Sequence, residues 1–413
     1  MSAIAKAELL IQQNKFDAAE KELKMHLAEN PNDGLAHAVL GLAYLGQNKN
    51  TLALESAQKG VGLFPDVGFT YYVLAQCYIQ NDNLAKAKEA SQTMLQYDPN
   101  DEDYLCTHAL ILNGLKLYPD ALIAIDKALQ LNPEHSNSKQ IKSLVLRNLG
   151  RYKEADVVAG ESLKDNPESA MAFAAKGWSS LDAGKTKESL EYFKSAIILD
   201  PTSEYTKSGL VMAIKAQNKL FALFYKYYNW VNQLSSGVRW GLIIGVFILI
   251  RLSDKVSTSN SELAPVFSFI IAIYILFVFL AWTINPIFNI FLRFNRYGKH
   301  ALDRGEIIAS NIMAALLVSA VVQYALTFVF DWYSISGAIG SLFLTLPVAA
   351  TFNRWDTKVF KRHLIYSILL ALILMLTVIL PIVGADELSV LLWFIFLGGV
   401  VGYTWVIQLF KSK

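Results

Sequence analysis

Pro31, Pro65, Pro99, Pro133, Pro167 and Pro201 follow one another at a constant interval of 34 residues. Each comes after Asn, Asp or Phe, as in Asn132-Pro133-Glu134 and Asp200-Pro201-Thr202. A fixed period of this size means stacked supersecondary units, none of which can bury its apolar face alone. Two helices of about 12–14 residues with two tight turns fill such a unit, since helix connections usually take about 2–8 residues. Proline falls where the second helix stops. It has no N–H to donate, and it disfavours helical backbone in the residue before it.

Numbering every unit so that its proline is position 32 brings the remaining pattern into line. The second unit has Leu40, Gly41, Tyr44 and Ala53 at positions 7, 8, 11 and 20, and the third has Leu74, Ala75, Tyr78 and Ala87 there. Ala109 and Ala121 in the fourth, Ala155 in the fifth, and Gly177 in the sixth continue it. Small residues at 8 and 20 let paired helices cross closely, and large apolar residues at 4, 7, 11 and 24 fill the seam between units. Period, proline and small/large pattern together resemble the tetratricopeptide repeat (TPR) family over residues 1–203. The resemblance implies an all-α fold: a right-handed superhelical solenoid of six helix pairs plus a capping helix. It is specific for fold and not for function, because these repeats bind many things. The first unit departs from the pattern, with Lys6 at position 7. The fifth carries Lys139 and Lys142 where apolar residues are usual, which predicts looser packing there.

A chain of 413 residues should hold two or three domains, and 54% hydrophobic residues is high for a soluble one. The apolar excess lies after residue 236. Residues 1–235 carry 24 Lys and Arg against 27 Asp and Glu, and residues 236–413 carry 13 against 8. Neither half has the dense basic face that a nucleic-acid partner requires. Cys77 and Cys106 lie in repeat helices without metal-like spacing and read as small buried thiols in a reducing compartment. The first ten residues are amphipathic and lack the apolar core of a signal peptide, so the repeats are expected to be cytoplasmic.

Residues 204–235 read as the capping helix followed by an aromatic elbow, with Phe221, Phe224, Tyr225, Tyr227, Tyr228 and Trp230 suited to a membrane–water boundary. Residues 236–413 then read as a bundle of six transmembrane helices, since a hydrocarbon core of about 30 Å takes roughly 20 helical residues. The spans are placed near 234–252, 266–285, 307–330, 335–352, 364–383 and 388–410. The first is the shortest, Trp240–Leu252, and needs Arg251 to snorkel outward. Arg293, Arg296, Lys299 and Arg304 follow the second span, and Arg354, Lys358, Lys361 and Arg362 follow the fourth. Basic loops mark the cytoplasmic side, and with six spans they all fall on the side of the repeats. This predicts a multi-pass protein of a bacterial inner membrane with both termini cytoplasmic and those eight residues at lipid headgroups. The stretch Leu292–Leu302, followed by Glu306 and Asn311, resembles a juxtamembrane pattern of bacterial TPR-containing membrane proteins of unassigned function.

No motif supplies an activity. There is no His-Glu-x-x-His pair, no Walker loop and no paired acidic metal site, and no cofactor or metal is expected. His300 and His363 read as basic-loop residues, which leaves a membrane serine without a base. The spans hold almost no charge, which argues against ion pathways. Asn285-Pro286, Asn311 and Gln323 are the main polar features, and a transporter or channel subunit regulated by the repeats would need them to converge. Gly398 and Gly402, like Gly337 and Ser341, are small-xxx-small pairs for close helix packing, within the bundle or in a homo-oligomer.

The TPR resemblance implies that the first helix of each unit lines a concave face through positions 2, 5, 9, 12 and 13. Those positions include Leu35, Ala38, Phe69, Tyr72, Gln76, Cys106, Leu110, Gln140, Arg147 and Trp178. The Lys and Asn pairs by which some family members clamp a carboxylate are missing, as Ala38, Tyr72 and Cys106 stand at position 5. What remains is an apolar and aromatic groove, and rigid aromatics in a concavity anchor partner segments. The sequence therefore points to a membrane-anchored TPR scaffold or assembly factor that recruits protein partners and is not an enzyme.

Overall fold

The computed structural model describes residues 2–234, 237–238, 264–293, 302–329, 336–352 and 360–409, and among these it contains helices and no strand. Two compact units divide the chain, residues 1–206 and 207–413.

Six helix pairs build the first unit. They are α1 (Ala3–Gln12) with α2 (Phe16–Glu29), α3 (Gly34–Gly46) with α4 (Asn50–Leu63), and α5 (Gly68–Gln80) with α6 (Leu84–Tyr97). Then come α7 (Glu102–Gly114) with α8 (Tyr118–Leu131), α9 (Ser136–Asn148) with α10 (Tyr152–Asp165), and α11 (Ala170–Asp182) with α12 (Thr186–Leu199). From the second pair on, first helices have 13 residues and second helices 14, as the period requires. Each first helix packs on its own partner and on the first helix of the next unit, so α3, α5, α7, α9 and α11 form one continuous layer. Ala53, Ala87, Ala121 and Ala155, all at position 20, have no exposed surface. A side chain larger than alanine would therefore separate the two helices.

The turn within each pair repeats as strictly as the proline. Asn14, Asn48, Asp82, Lys116, Gly150 and Gly184, all at position 15, have φ between 55° and 83°. The next residue's N–H reaches back to a carbonyl five residues earlier, as from Lys49 to Tyr44, Leu117 to Leu112 and Arg151 to Leu146, each at 2.9 Å. This closes the helix in a Schellman-type cap. Lys116 is the one long side chain in the set. Left-handed backbone costs a non-glycine residue about 1–2 kcal/mol, part of which glycine returns as unfolded-state entropy. Lys116→Gly is accordingly expected to stabilise the repeats by about 0.5–1 kcal/mol, read as a higher urea midpoint; an unchanged or lower midpoint would refute this.

The fifth unit is held by polar contacts where looser packing was expected. Lys139 pairs with Asp165, and Lys142 with Asp126 at 2.7 Å. Ser143, 1% exposed, donates to the Ala155 carbonyl at 3.0 Å and meets Ser179 at 2.8 Å. Between the fifth and sixth units, the buried Asp156 carboxylate accepts from Lys176 (2.5 Å), Lys185 (2.7 Å) and Ser180 (2.9 Å).

The second unit begins inside α13 (Glu204–Lys215). It continues through α14 (Lys219–Gln233), α15 (Ala264–Leu292), α16 (Arg304–Leu326), α17 (Ser336–Phe352), α18 (Phe360–Ile379), a short 3-10 turn (Leu380–Val383) and α19 (Asp386–Leu409). Asp303 and Glu306 form a reciprocal capping box at the start of α16. Leu344, Val348, Leu370, Leu374, Phe396 and Val400 make the shared core of α17, α18 and α19. Three helices are long and apolar enough to cross a membrane: Arg304–Leu326, Phe360–Ile379 and the Asp386–Tyr403 stretch. Six were expected, so the count is corrected to three among the described residues. At 17 residues α17 spans only about 25 Å. The predicted fifth span also stops short of residue 383, at Ile379 in α18, because the chain tightens at Leu380 and Gly384 takes φ 76°. The predicted first span, 234–252, lies almost wholly outside the described residues.

His363 is a second correction. It sits in the first turn of α18, not in a loop, and is 1% exposed. Its Nδ1 lies 3.0 Å from the Tyr403 hydroxyl, which lies 3.0 Å from Thr351 Oγ1, and Thr351 meets Ser367 at 2.9 Å. One polar chain thus ties α17, α18 and α19 together.

Candidate functional site

The concave layer of first helices contains a cavity of about 500 Å³. Its lining obeys the repeat register. Asp103, Asn137, Met171 and Tyr205 stand at position 2, and Tyr72, Cys106 and Gln140 at position 5. Thr107, Ile141 and Ala175 stand at position 6, and Gln76, Leu110 and Leu144 at position 9. These positions share one face of a helix with a 3.6-residue turn. Stacking then carries that face from α5 to the start of α13.

Five of the ten predicted groove residues come together here: Tyr72, Gln76, Cys106, Leu110 and Gln140. The other five do not line the cavity. Ala38 is fully buried in the core of the first repeats, against which Phe69 also packs. Leu35 is half-buried on the same early turns. Arg147 is engaged internally: its Nε donates to Asp182 at 2.5 Å and its guanidinium lies 5.2 Å from the Trp178 ring. Trp178 in turn packs edge-on against Phe193 at 5.4 Å and beside Tyr205 at 5.8 Å. Asp103, Asn137 and Tyr205 were not predicted, yet they occupy the position of Phe69 and Met171, so the repeat numbering already contained the signal.

Tyr72, which lines the cavity, is stacked behind it between Phe69 (6.1 Å) and Tyr104 (5.4 Å). Leu110 and Met171 present apolar surface to solvent at 36% and 50% exposure. Burial and the carboxylates of Asp101, Asp98 and Asp103 push the Tyr104 phenol up to about 12. Burial, then Asp103, also raises Tyr72. Burial holds the Cys106 thiol at about 12, against a weaker opposing hydrogen bond with Ser138. It therefore stays a protonated, inert thiol at neutral pH. Among the described residues no cluster of His, Cys, Asp or Glu could hold a metal ion.

Of the residues expected at lipid headgroups, Arg304, Lys361 and Arg362 are exposed at the starts of α16 and α18. Arg293 is exposed and donates to Asn311 Oδ1 at 2.5 Å. Arg296, Lys299, Arg354 and Lys358 lie outside the described residues. The polar residues that a transport site would gather have separate partners: Asn285 faces Lys215, Asn311 faces Arg293, and Gln323 donates to Ser319 and Ser341 at 2.8 Å. A Cβ at Gly337 would meet Gln323, so the Gly337/Ser341 pair serves packing inside this unit.

Models of the tetratricopeptide repeat match residues 4–67 and 142–204, and a second repeat model matches 70–101. The N-terminal segment of this chain consists of tetratricopeptide repeats. Among solved structures, the chain is similar to YrrB, described as a TPR protein with an unusual peptide-binding site. Identity is 20%, over 45% of this chain and 95% of that one, with a TM-score of 0.33. It is also similar to pilF of Pseudomonas aeruginosa (18% identity, 47% and 88% covered, TM-score 0.39). A third is PilW, a type IV pilus biogenesis factor (19%, 48% and 90%, 0.41). No curated protein sequence matches the chain.

Proposed function

We propose that this protein is a membrane-anchored scaffold or assembly factor that recruits a segment of a partner protein into the groove of its repeats. One observation carries the reading. A cavity of about 500 Å³, with Leu110 and Met171 open to solvent, is built in register by four successive first helices and the start of a fifth. Stacked helices preorganise such a groove, so a partner loses little affinity to ordering it. The half-buried ring of Tyr72, held by its stack on Tyr104, supplies rigid contact area. The apolar helices of the second unit would hold the groove at a bilayer, raising the effective concentration of any partner anchored there.

Leu110→Ala with Met171→Ala tests recruitment, because both side chains are exposed enough to be lost without opening the core. Removing two such anchors is expected to weaken a partner by about 2 kcal/mol, roughly thirtyfold. Cross-linking in native membranes from a photoreactive residue at Gln76 should lose its adducts in the double variant. Adducts that persist unchanged would move recruitment away from the groove.

The same reading places the repeats on the cytoplasmic side of a bacterial inner membrane, with lipid headgroups against Arg304, Lys361 and Arg362. A single cysteine at Ser334, after the Arg304–Leu326 span, in a chain with Cys77 and Cys106 replaced by serine, should be labelled by an impermeant maleimide in intact cells. One at Ser136 should not. Labelling at Ser136 from outside would reverse the orientation.

A further inference from the structure

Resting on the groove reading, we infer that the groove selects a cationic partner: an apolar side chain with Lys or Arg beside it, which brings its charge to Asp103. Asp103 is the only ionised side chain of the cavity lining, and its carboxylate is 61% exposed. No lysine or arginine lines the cavity. Three cations of the neighbouring repeats are already paired within the fold, Arg147 with Asp182, Lys139 with Asp165 and Lys142 with Asp126. The contact of Asp103 is with His135, whose Nε2 lies 3.4 Å away and is charged only when protonated. Asp98, Asp101 and Glu102 stand at the same end of α7, and the carboxylates of Asp101 and Asp98 add to the burial that raises the Tyr104 phenol.

The whole first unit has the same sign. Residues 1–206 carry 27 Asp and Glu against 20 Lys and Arg, a net charge of −7 with histidines neutral. A basic segment is therefore drawn toward the repeats, and an acidic one is repelled. Inside the cavity, Leu110, Leu144 and Met171 accept an aliphatic or aromatic side chain. Gln76, Asn137 and Gln140 offer both donors and acceptors to the amides of an extended segment. This is the opposite polarity to a carboxylate-gripping TPR groove, and it follows from the absence of cations at position 5 together with Asp103 at position 2.

Three fluorescein-labelled hexapeptides test it by anisotropy on the full chain in detergent: Lys-Leu-Lys, Gln-Leu-Gln and Glu-Leu-Glu, each between glycine spacers. The lysine peptide should bind about tenfold more tightly than the glutamine one at low salt, and the glutamate peptide more weakly still. Salt of about 0.3 M should shrink the gap, since exposed charges are screened over roughly a Debye length. Asp103→Asn should abolish the preference, and Asp103→Lys should turn it toward the glutamate peptide. Equal binding of all three, lost on Leu110→Ala with Met171→Ala, would overturn the charge selection and leave the groove reading intact. Binding by none of them, or binding that ignores the Leu110 and Met171 changes, would overturn both.

Discussion

Asp156→Ala should be among the most damaging single changes in the repeats, costing about 3 kcal/mol of stability. The carboxylate is 8% exposed and accepts from Lys176, Lys185 and Ser180 at 2.5–2.9 Å. Lys176 is itself only 11% exposed, and it also donates to the Asp156 carbonyl at 2.8 Å. Truncation would leave that ammonium buried without its counter-charge, and breaking such a group from one side typically costs about 3–5 kcal/mol. The lower end applies here, because Lys185 is 47% exposed and can turn to water. Burial alone would raise the Asp156 pKa, but the hydrogen bonds from Lys176, Lys185 and Ser180 outweigh it and hold the group below the ordinary carboxylate value. A carboxylate with a depressed folded pKa gives stability that is present above its unfolded value, near 3.9, and lost as pH falls through the folded one. Urea unfolding of a fragment covering residues 1–220 should therefore show a large deficit for the variant at pH 7 that shrinks progressively as pH falls below about 4. A deficit below about 0.5 kcal/mol at pH 7 would mean the cluster is only a surface contact.

The cluster also shows where sequence reading stops. Proline spacing and the small residues at positions 8 and 20 place every helix pair, because backbone termination and close helix crossing each demand particular residue types. Position 15 repeats just as strictly in the backbone, yet it is filled by Asn, Asn, Asp, Lys, Gly and Gly. Five of these are residue types that favour left-handed backbone, and only Lys116 breaks the pattern. Ala38 reads as groove by register, but the early repeats bury it, since burial depends on the neighbouring unit as well as on helix phase. The cavity is legible through the same register, which reaches Asp103, Asn137 and Tyr205 as readily as Met171. What periodicity does not contain is which long-range ion pairs form: Lys139 and Lys142 look like packing defects until Asp165 and Asp126 are seen beside them. His363 escaped for a related reason. A basic neighbourhood in sequence does not reveal that the helix begins three residues earlier and turns the ring toward Tyr403.

Lys215→Met is expected to stabilise the second unit, by about 2–3 kcal/mol at pH 7. Lys215 ends α13 and is 5% exposed. Its ammonium has one long hydrogen bond, 3.4 Å to Asn285 Oδ1, and lies 5.7 Å from the Phe221 ring. Burial draws its pKa down to about 8, with the Glu306 carboxylate opposing the fall. Against an ordinary lysine near 10.4, roughly two pKa units at about 1.4 kcal/mol each is the cost of keeping the charge in the folded state at neutral pH. Methionine retains the stem's volume and fills irregular space well, and apolar replacements of buried charges are often neutral or stabilising by about 1–4 kcal/mol. Glu306 would not be stranded, since its carboxylate still accepts from the Asp303 N–H in the capping box. The pH dependence separates this account from simple repacking. Between pH 8 and about 10 the unfolded chain binds a proton that the folded chain does not, so stability should rise with pH in the parent protein. In Lys215→Met that rise should disappear, and the two melting temperatures should converge near pH 10. A variant less stable than the parent at pH 7, with the alkaline rise intact, would instead mean that Lys215 and Glu306 form a favourable pair holding α13 to α16.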